Sequence, residues 1–200
     1  MNAVKEKMKG MEDPKSSKAS RAKRWAFLRR TPTFMNYFDS PKIFKLVSPY
    51  IHRGDVAADI GSGWGYYTFL LADQVGPGGK VYSVELGENC VRFIQKKAER
   101  KGLRNIEARA STAADLGFIA DKSVDLVFAN GLLCSMEGDR ASAVKEMRRI
   151  LKPEGHAYIS LGAAPPFGLV DETEWDEMLS AFKVEQGGTF KDLWAIVSRK

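Results

Sequence analysis

The stretch VAADIGSGWG, residues 56–65, decides how this chain is read: a short apolar run with Asp59 near its end, then glycines at 61, 63 and 65. An apolar run of that length bounded by turn residues is a buried strand. Glycine loses the most backbone entropy on ordering, so three within five residues need a compensation that only glycine permits. Either the turn is unusually tight, or another molecule lies against its backbone.

Working outward, short β-branched runs alternate with longer helical ones. VAADI (56–60), KVYSVE (80–85), NIEARA (105–110), SVDLVFAN (123–130) and GHAYISL (155–161) read as strands. GYYTFLLADQV (65–75), ENCVRFIQKKAERKG (88–102) and DRASAVKEMRRIL (139–151) read as helices. That alternation is the pattern of βαβ units on a parallel sheet, an α/β fold. Gly76-Pro77-Gly78-Gly79 stops the first of these helices, Gly102 caps the second, and Lys152-Pro153-Glu154-Gly155 is expected to end the third. Upstream, Ser40 and Pro41 form an N-cap and first-turn pair, with Ile43, Leu46, Val47 and Tyr50 at helical spacing on a core-facing stripe. Downstream, residues 171–182 suit a helix, and two strand-like runs flank Gly187-Gly188, which predicts a terminal hairpin adding an antiparallel strand.

The 200 residues, 44% hydrophobic and 28% charged, suffice for one globular domain and a modest extra segment. No apolar run approaches the roughly 18 to 20 residues of a membrane span, nor does a signal-peptide core follow the basic N-terminus, so a cytoplasmic location is expected. The net charge of +6 is unevenly placed. Residues 1–30 hold ten Lys and Arg against three acids, while the other 170 residues, with 21 basic and 22 acidic, are nearly neutral. The fold itself therefore lacks the basic balance of a nucleic-acid binder, and only its leader carries it. We expect a basic mobile tail over 1–20, a helical lid segment over 21–50 in which Trp25, Phe27 and Leu28 fold over the mouth of the α/β domain, and that domain over 51–200. Cys90, Cys134, His52 and His156 are the only residues of their types and show no paired ligand spacing, so neither a metal site nor a disulfide framework is expected. His52 and His156 are read as structural.

In an open parallel sheet, ligands bind beyond the carboxyl ends of the strands where strand order reverses. The glycine loop falls at that end of the first strand, and Glu85 ends the second strand 20 residues after Gly65, where its carboxylate can accept both hydroxyls of a ribose. Dinucleotide enzymes also use a strand, a glycine loop and an acid, but the spacing here is GxGxG rather than GxGxxG. Asp59, two residues before the first glycine, would repel a pyrophosphate and suits a cationic ligand.

VAADIGSGWGYYTFLLA resembles the first motif of the class I S-adenosylmethionine (SAM)-dependent methyltransferases, in the group with a type 11-like methyltransferase domain. The resemblance continues through VYSVE, SVDLVFANGLL and RRILKPEGHAYISL, over roughly residues 50–162. It implies a Rossmann-like three-layer sandwich whose seven-stranded, mostly parallel sheet has the order 3-2-1-4-5-7-6 with strand 7 antiparallel. It also implies SAM as cofactor, with Asp59, Gly61, Ser62, Gly63 and Gly65 near the methionine moiety, Glu85 on the ribose and Leu86 on the adenine. Two departures stand out. Where the family often has an acid contacting the adenine amino group, this chain has Thr112, which leaves the contact to the Thr112 hydroxyl or to backbone at Ala113; and Glu154 replaces a glycine.

Methyl transfer from a sulfonium is an in-line displacement in which positioning and desolvation can supply most of the catalysis, so no base is obligatory. Phe34, Tyr37, Trp64 and Tyr66 are available to face the cation, Tyr37 foremost because the segment before the first strand commonly covers SAM in the family it resembles. Asn130, at the carboxyl end of the fourth strand, is placed to meet SAM or the acceptor. NGLL lacks the (D/N)PP(Y/F) pattern of family members that methylate exocyclic or amide nitrogens. The expected acceptor is a small molecule. The alternatives are a membrane lipid or nucleic acid recruited by the basic leader, or SAM binding without transfer.

Overall fold

A computed structural model describes residues 41–136, 138–162, 172–190 and 192–200. The expectations for the leader, including Tyr37, Trp25, Phe27 and Leu28, lie outside the described residues. The elements run α1 (41–47), β1 (Val56–Ile60), α2 (Tyr66–Val75), β2 (Lys80–Glu85), α3 (Glu88–Arg100), β3 (Ile106–Ala110), β4 (Val124–Ala129), α4 (Arg140–Ile150), β5 (Leu151–Ser160), α5 (Glu172–Leu179), β6 (Phe182–Phe190) and β7 (Asp192–Arg199). The seven strands form one sheet of order β3-β2-β1-β4-β5-β7-β6. β1 to β5 pair in parallel, and β7 is antiparallel to both β5 and β6, as the hairpin reading required.

Alternation along each strand divides the core in two, because successive side chains leave a strand on opposite faces. Ala57, Leu126, Phe128, Tyr158 and Ile196 face α1 and α2, where they meet Val47, Ile51, Tyr67, Leu71 and Val75. A row of rings, Tyr67, Phe128, Tyr158 and Trp194, crosses that face with centroid spacings of 4.5, 5.0 and 6.1 Å. Ala58, Val127, Ala129, Ile159 and Val197 face the other way, onto Ala143 and Met147 of α4 and Trp175 and Met178 of α5. The central strand β4, VDLVFA, is apolar almost throughout because it is covered on both sides.

Two boundaries differ from the sequence reading. β5 begins at Leu151, immediately after α4, and Lys152-Pro153-Glu154-Gly155 belongs to the strand. The pairing of β4 with β5 shifts register between Val124 and Leu126, and a proline without an N–H is tolerated at such an irregularity. Glu154 is thus an exposed strand residue rather than part of a turn. Gly187 and Gly188 lie inside β6, opposite Ala195 and Trp194, and the hairpin reverses between Phe190 and Asp192. A Cβ on Gly188 would stand 3.1 Å from the Trp194 ring, so this glycine makes room for the indole.

Residues 111–123, which join β3 to β4, contain no helix. Two side chains of α4 hold them instead. Glu146 accepts the Leu116 N–H at 3.0 Å, and Arg149 donates to the carbonyl oxygens of Leu116 at 2.8 Å and Ile119 at 2.9 Å while pairing with Glu146 and Asp121. Leu116 and Ile119 are fully buried under this clamp.

Candidate cofactor site

The carboxyl ends of β1, β2 and β4 converge where strand order reverses, and the glycine loop turns there. The amides of Gly61 and Ser62 both donate to Val84 O, at 2.8 and 3.0 Å, which folds the loop back over β2; Gly65 N–H then closes on Ser62 O at 2.9 Å. Gly61, Gly63 and Gly65 all have positive φ, +75°, +53° and +79°. Their surroundings separate their roles. A Cβ on Gly61 would meet Leu132 Cδ1 at 2.8 Å and one on Gly65 would meet Ile94 Cγ1 at 2.7 Å, so these two allow close packing within the fold. A Cβ on Gly63 would have nothing within 4 Å, so that residue faces open space. Both branches of the opening question apply: the turn is tight, and its middle presents bare backbone outward.

Glu85 ends β2 beside that open space. Its Oε2 accepts the Gly63 N–H at 2.9 Å and its Oε1 the Gly87 N–H at 3.0 Å. A carboxylate offers about four acceptor positions, so two remain for outside donors. Leu86 follows with 73% of its surface exposed, an apolar side chain that the fold leaves uncovered. The Ser111 amide donates to Glu85 O at 3.1 Å and brings the clamped segment alongside. Within it, the half-buried Thr112 accepts the Ala114 N–H on its hydroxyl at 3.3 Å, and Ala113 is buried in the core. The bare glycine backbone, the partly committed carboxylate and the exposed leucine fit a nucleoside whose ribose hydroxyls donate and whose base lays its flat ring face on the leucine.

Asp59 lies behind the loop. It is 2% exposed, and Thr68 Oγ1 donates to its Oδ2 at 2.6 Å. The Thr68 hydroxyl also lies 3.1 Å from Ser83 Oγ, which donates to Ser62 Oγ at 2.8 Å, so a line of hydroxyls links the buried acid to the glycine loop. Burial pushes the Asp59 carboxyl up to about 7, against the lowering effect of the Thr68 hydrogen bonds. The sequence reading did not pick out Thr68 and Ser83. Their signal was a polar residue at a core-facing position, on a helix and on a strand respectively.

Asn130 stands at the end of β4 and accepts the Ser160 hydroxyl at 3.2 Å, while Ser160 Oγ accepts the Gly131 N–H at 2.9 Å. The backbones of Gly131 and Gly162 approach closely there, since a Cβ on Gly162 would lie 2.6 Å from Gly131 Cα. Of the aromatic candidates, Trp64 and Tyr66 are exposed at the loop. His156 is within β5, opposite Leu126, and its ring contacts Tyr50 at 4.5 Å. It lies four residues, about 13 Å along the strand, before the carboxyl end of β5. His52 pairs with Asp55 before β1. Among the described residues, no group of three or more His, Cys, Asp or Glu could hold a metal, and no helix is long and apolar enough to cross a membrane.

Comparison with known proteins bears on the same region. A family model described as a methyltransferase domain matches residues 51–186. A demethylmenaquinone methyltransferase of Geobacillus stearothermophilus is 34% identical over 105 residues, covering 52% of this chain and 44% of that protein. An arsenite methyltransferase of Aquipseudomonas alcaligenes is 33% identical over 140 residues, covering 67% of this chain and 40% of that protein. The chain thus spans less than half the length of these two relatives. A SAM-dependent methyltransferase structure from Aquifex aeolicus superposes with a TM-score of 0.65 at 22% identity, over 83% of this chain and 98% of that one, and shares the fold. With the matched domain spanning the glycine loop, Glu85 and all of the first five strands, the chain belongs to the class I SAM-dependent methyltransferase family.

Proposed function

We propose that this protein transfers a methyl group from SAM to a small-molecule acceptor in the cytoplasm. The observation that carries the reading is the juxtaposition of Gly63, facing open space, with the Glu85 carboxylate that accepts its N–H, next to the uncovered Leu86. In this reading Glu85 accepts the two ribose hydroxyls, Leu86 lies on the adenine, and Thr112 or the backbone at Ala113 meets its edge. Gly61, Ser62, Gly63 and Gly65 shape the wall toward the methionine moiety, Asp59 acts on that wall through Thr68, Ser83 and Ser62, and Asn130 borders the side where an acceptor enters. SAM supplies an electrophilic methyl on a sulfonium, so the residues of the chain have to orient, enclose and exclude water rather than form a covalent bond. Residues 51–200 form the unit that does this, with 21–50, including Tyr37, as a cover and 1–20 as a basic tail.

Support for a small acceptor comes from the two relatives, whose names give demethylmenaquinone and arsenite as what they methylate. The test is release of S-adenosylhomocysteine from SAM across pools of small molecules, followed by isolation of the methylated product. Turnover dependent on one soluble pool is the expected result. Tight SAM binding without turnover on any pool would instead make the chain a SAM-binding protein.

A further inference from the structure

Beside the cofactor site, the outer face of α3 carries a feature the methyltransferase reading does not use. Between residues 88 and 104 six basic side chains stand against two acids, while the rest of residues 31–200 is net acidic. Val91, Ile94 and Ala98 bury the inner face of the helix. Phe93, Lys96, Lys97 and Arg100 occupy the outer face at the i, i+3, i+4, i+7 spacing of a single stripe. Phe93 is 38% exposed, and Trp64, projecting from the glycine loop with 54% exposed, meets it edge-on at 5.4 Å. The Lys97 ammonium lies 4.3 Å from the Phe69 ring and 5.6 Å from that of Phe93, so its stem covers aromatic surface while its charge faces out. Among the described residues, none of Lys96, Lys97, Arg100 and Lys101 forms an ion pair.

We infer that this face, Trp64 and Phe93 with Lys96, Lys97 and Arg100, docks on the surface of an anionic lipid bilayer. A helix with a basic outer face and large aromatic side chains beside it is suited to the headgroup boundary, where rings sink toward the acyl chains and ammonium and guanidinium groups meet lipid phosphates. The two rings are nearly perpendicular, at 86°, and Lys97 lies over one of them, so they form no common platform for stacked bases; this favours lipid over nucleic acid. Trp64 belongs to the glycine loop and α3 starts three residues after Glu85, so docking lays α3 along the bilayer with its Trp64 end bordering the cofactor site and Lys96, Lys97 and Arg100 toward the opposite end of the sheet.

The experiment is co-sedimentation of the full chain with vesicles of phosphatidylcholine, with or without about one third phosphatidylglycerol. Its readout is independent of turnover. The expected result is salt-sensitive binding to the anionic vesicles alone. Replacing Lys96→Glu, Lys97→Glu and Arg100→Glu together is expected to weaken that binding by roughly 100-fold, while melting temperature and S-adenosylhomocysteine affinity stay as in the wild type. Phe93→Ser, a milder change to the same face, should weaken it by roughly tenfold. The inference is overturned if the wild type ignores anionic vesicles, or if it binds neutral ones equally well. It is also overturned if both variants sediment like the wild type, which would assign binding to the basic leader. Binding confined to a single-stranded RNA oligonucleotide, lost in the triple variant, overturns it in favour of a nucleic-acid face.

Discussion

Glu85 holds the loop on which its own ligand would rest. Its carboxylate fixes Gly63 and Gly87 by their amides, so Glu85→Ala removes ligand acceptors and loop support together. SAM affinity should fall by about 2–4 kcal/mol in a calorimetric titration, with a smaller loss of thermal stability. Unchanged affinity would take Glu85 out of the site. Asp59 gives a pH effect with a definite sign. Its carboxyl rises from 3.8 to about 7 in the fold, so between those values the native state keeps a proton that the unfolded chain has released. Its contribution to stability is therefore greatest in acid and declines as pH rises through about 7. His156 is held below its ordinary value by burial and slopes the other way near neutral pH, so the wild-type curve alone does not isolate Asp59. Urea denaturation of wild type and Asp59→Asn at pH 5 and 8 does: the variant should gain stability relative to the wild type at the higher pH. The line of hydroxyls joining Asp59 to Ser62 was hidden in the sequence because Thr68 and Ser83, 15 residues apart, meet only through the packing of α2 on β2.

At the scale of elements, the strands were legible because a parallel sheet covered on both faces demands short apolar runs: VAADI and VDLVFA each depart from that pattern at one Asp, and KVYSVE keeps its apolar Val81, Tyr82 and Val84 between polar ends. The errors arose where glycine and proline serve packing rather than turning. Pro153 and Gly155 read as a break, yet they sit in β5 beside a register shift; a Cβ on Gly155 would press on Leu151 Cδ1 at 2.8 Å and on Val124 O at 3.0 Å. Gly187-Gly188 read as the hairpin turn and instead lies within β6 beside Trp194. The ends of β4 and β5 make a further case. Gly162, at φ +86°, would place a Cβ 2.6 Å from Gly131 Cα, whereas a Cβ on Gly131 would lie 3.5 Å from Gly162 Cα. Gly162→Ala is thus expected to lower stability by about 2–4 kcal/mol, the sum of backbone strain and overlap, and Gly131→Ala by about 1 kcal/mol from strain alone. Thermal melts of the two variants compare them directly. Equal losses would show that the close approach of the two loops contributes nothing.

For the molecule as a whole, two layers of helices cover the sheet, but the span between β3 and β4 has the guanidinium of Arg149 and the carboxylate of Glu146 in place of a helix. The segment they hold is the one that reaches Glu85 through Ser111 and carries Thr112 and Ala113. A stretch without helix or strand, held by this pair of side chains and by the burial of Leu116 and Ile119, can detach as a cooperative unit without unfolding the sheet. In amide exchange with heavy water, the Leu116 and Ile119 positions should therefore lose their deuterium lag long before those of β1 and β4. Arg149→Ala should shorten that lag several-fold for residues 111–123 while leaving the central strands near the global limit. The adenine side of the proposed site would then have its own opening equilibrium, set from α4, and a nucleoside bound there would report its presence as slowed exchange on a segment most of whose residues it never touches.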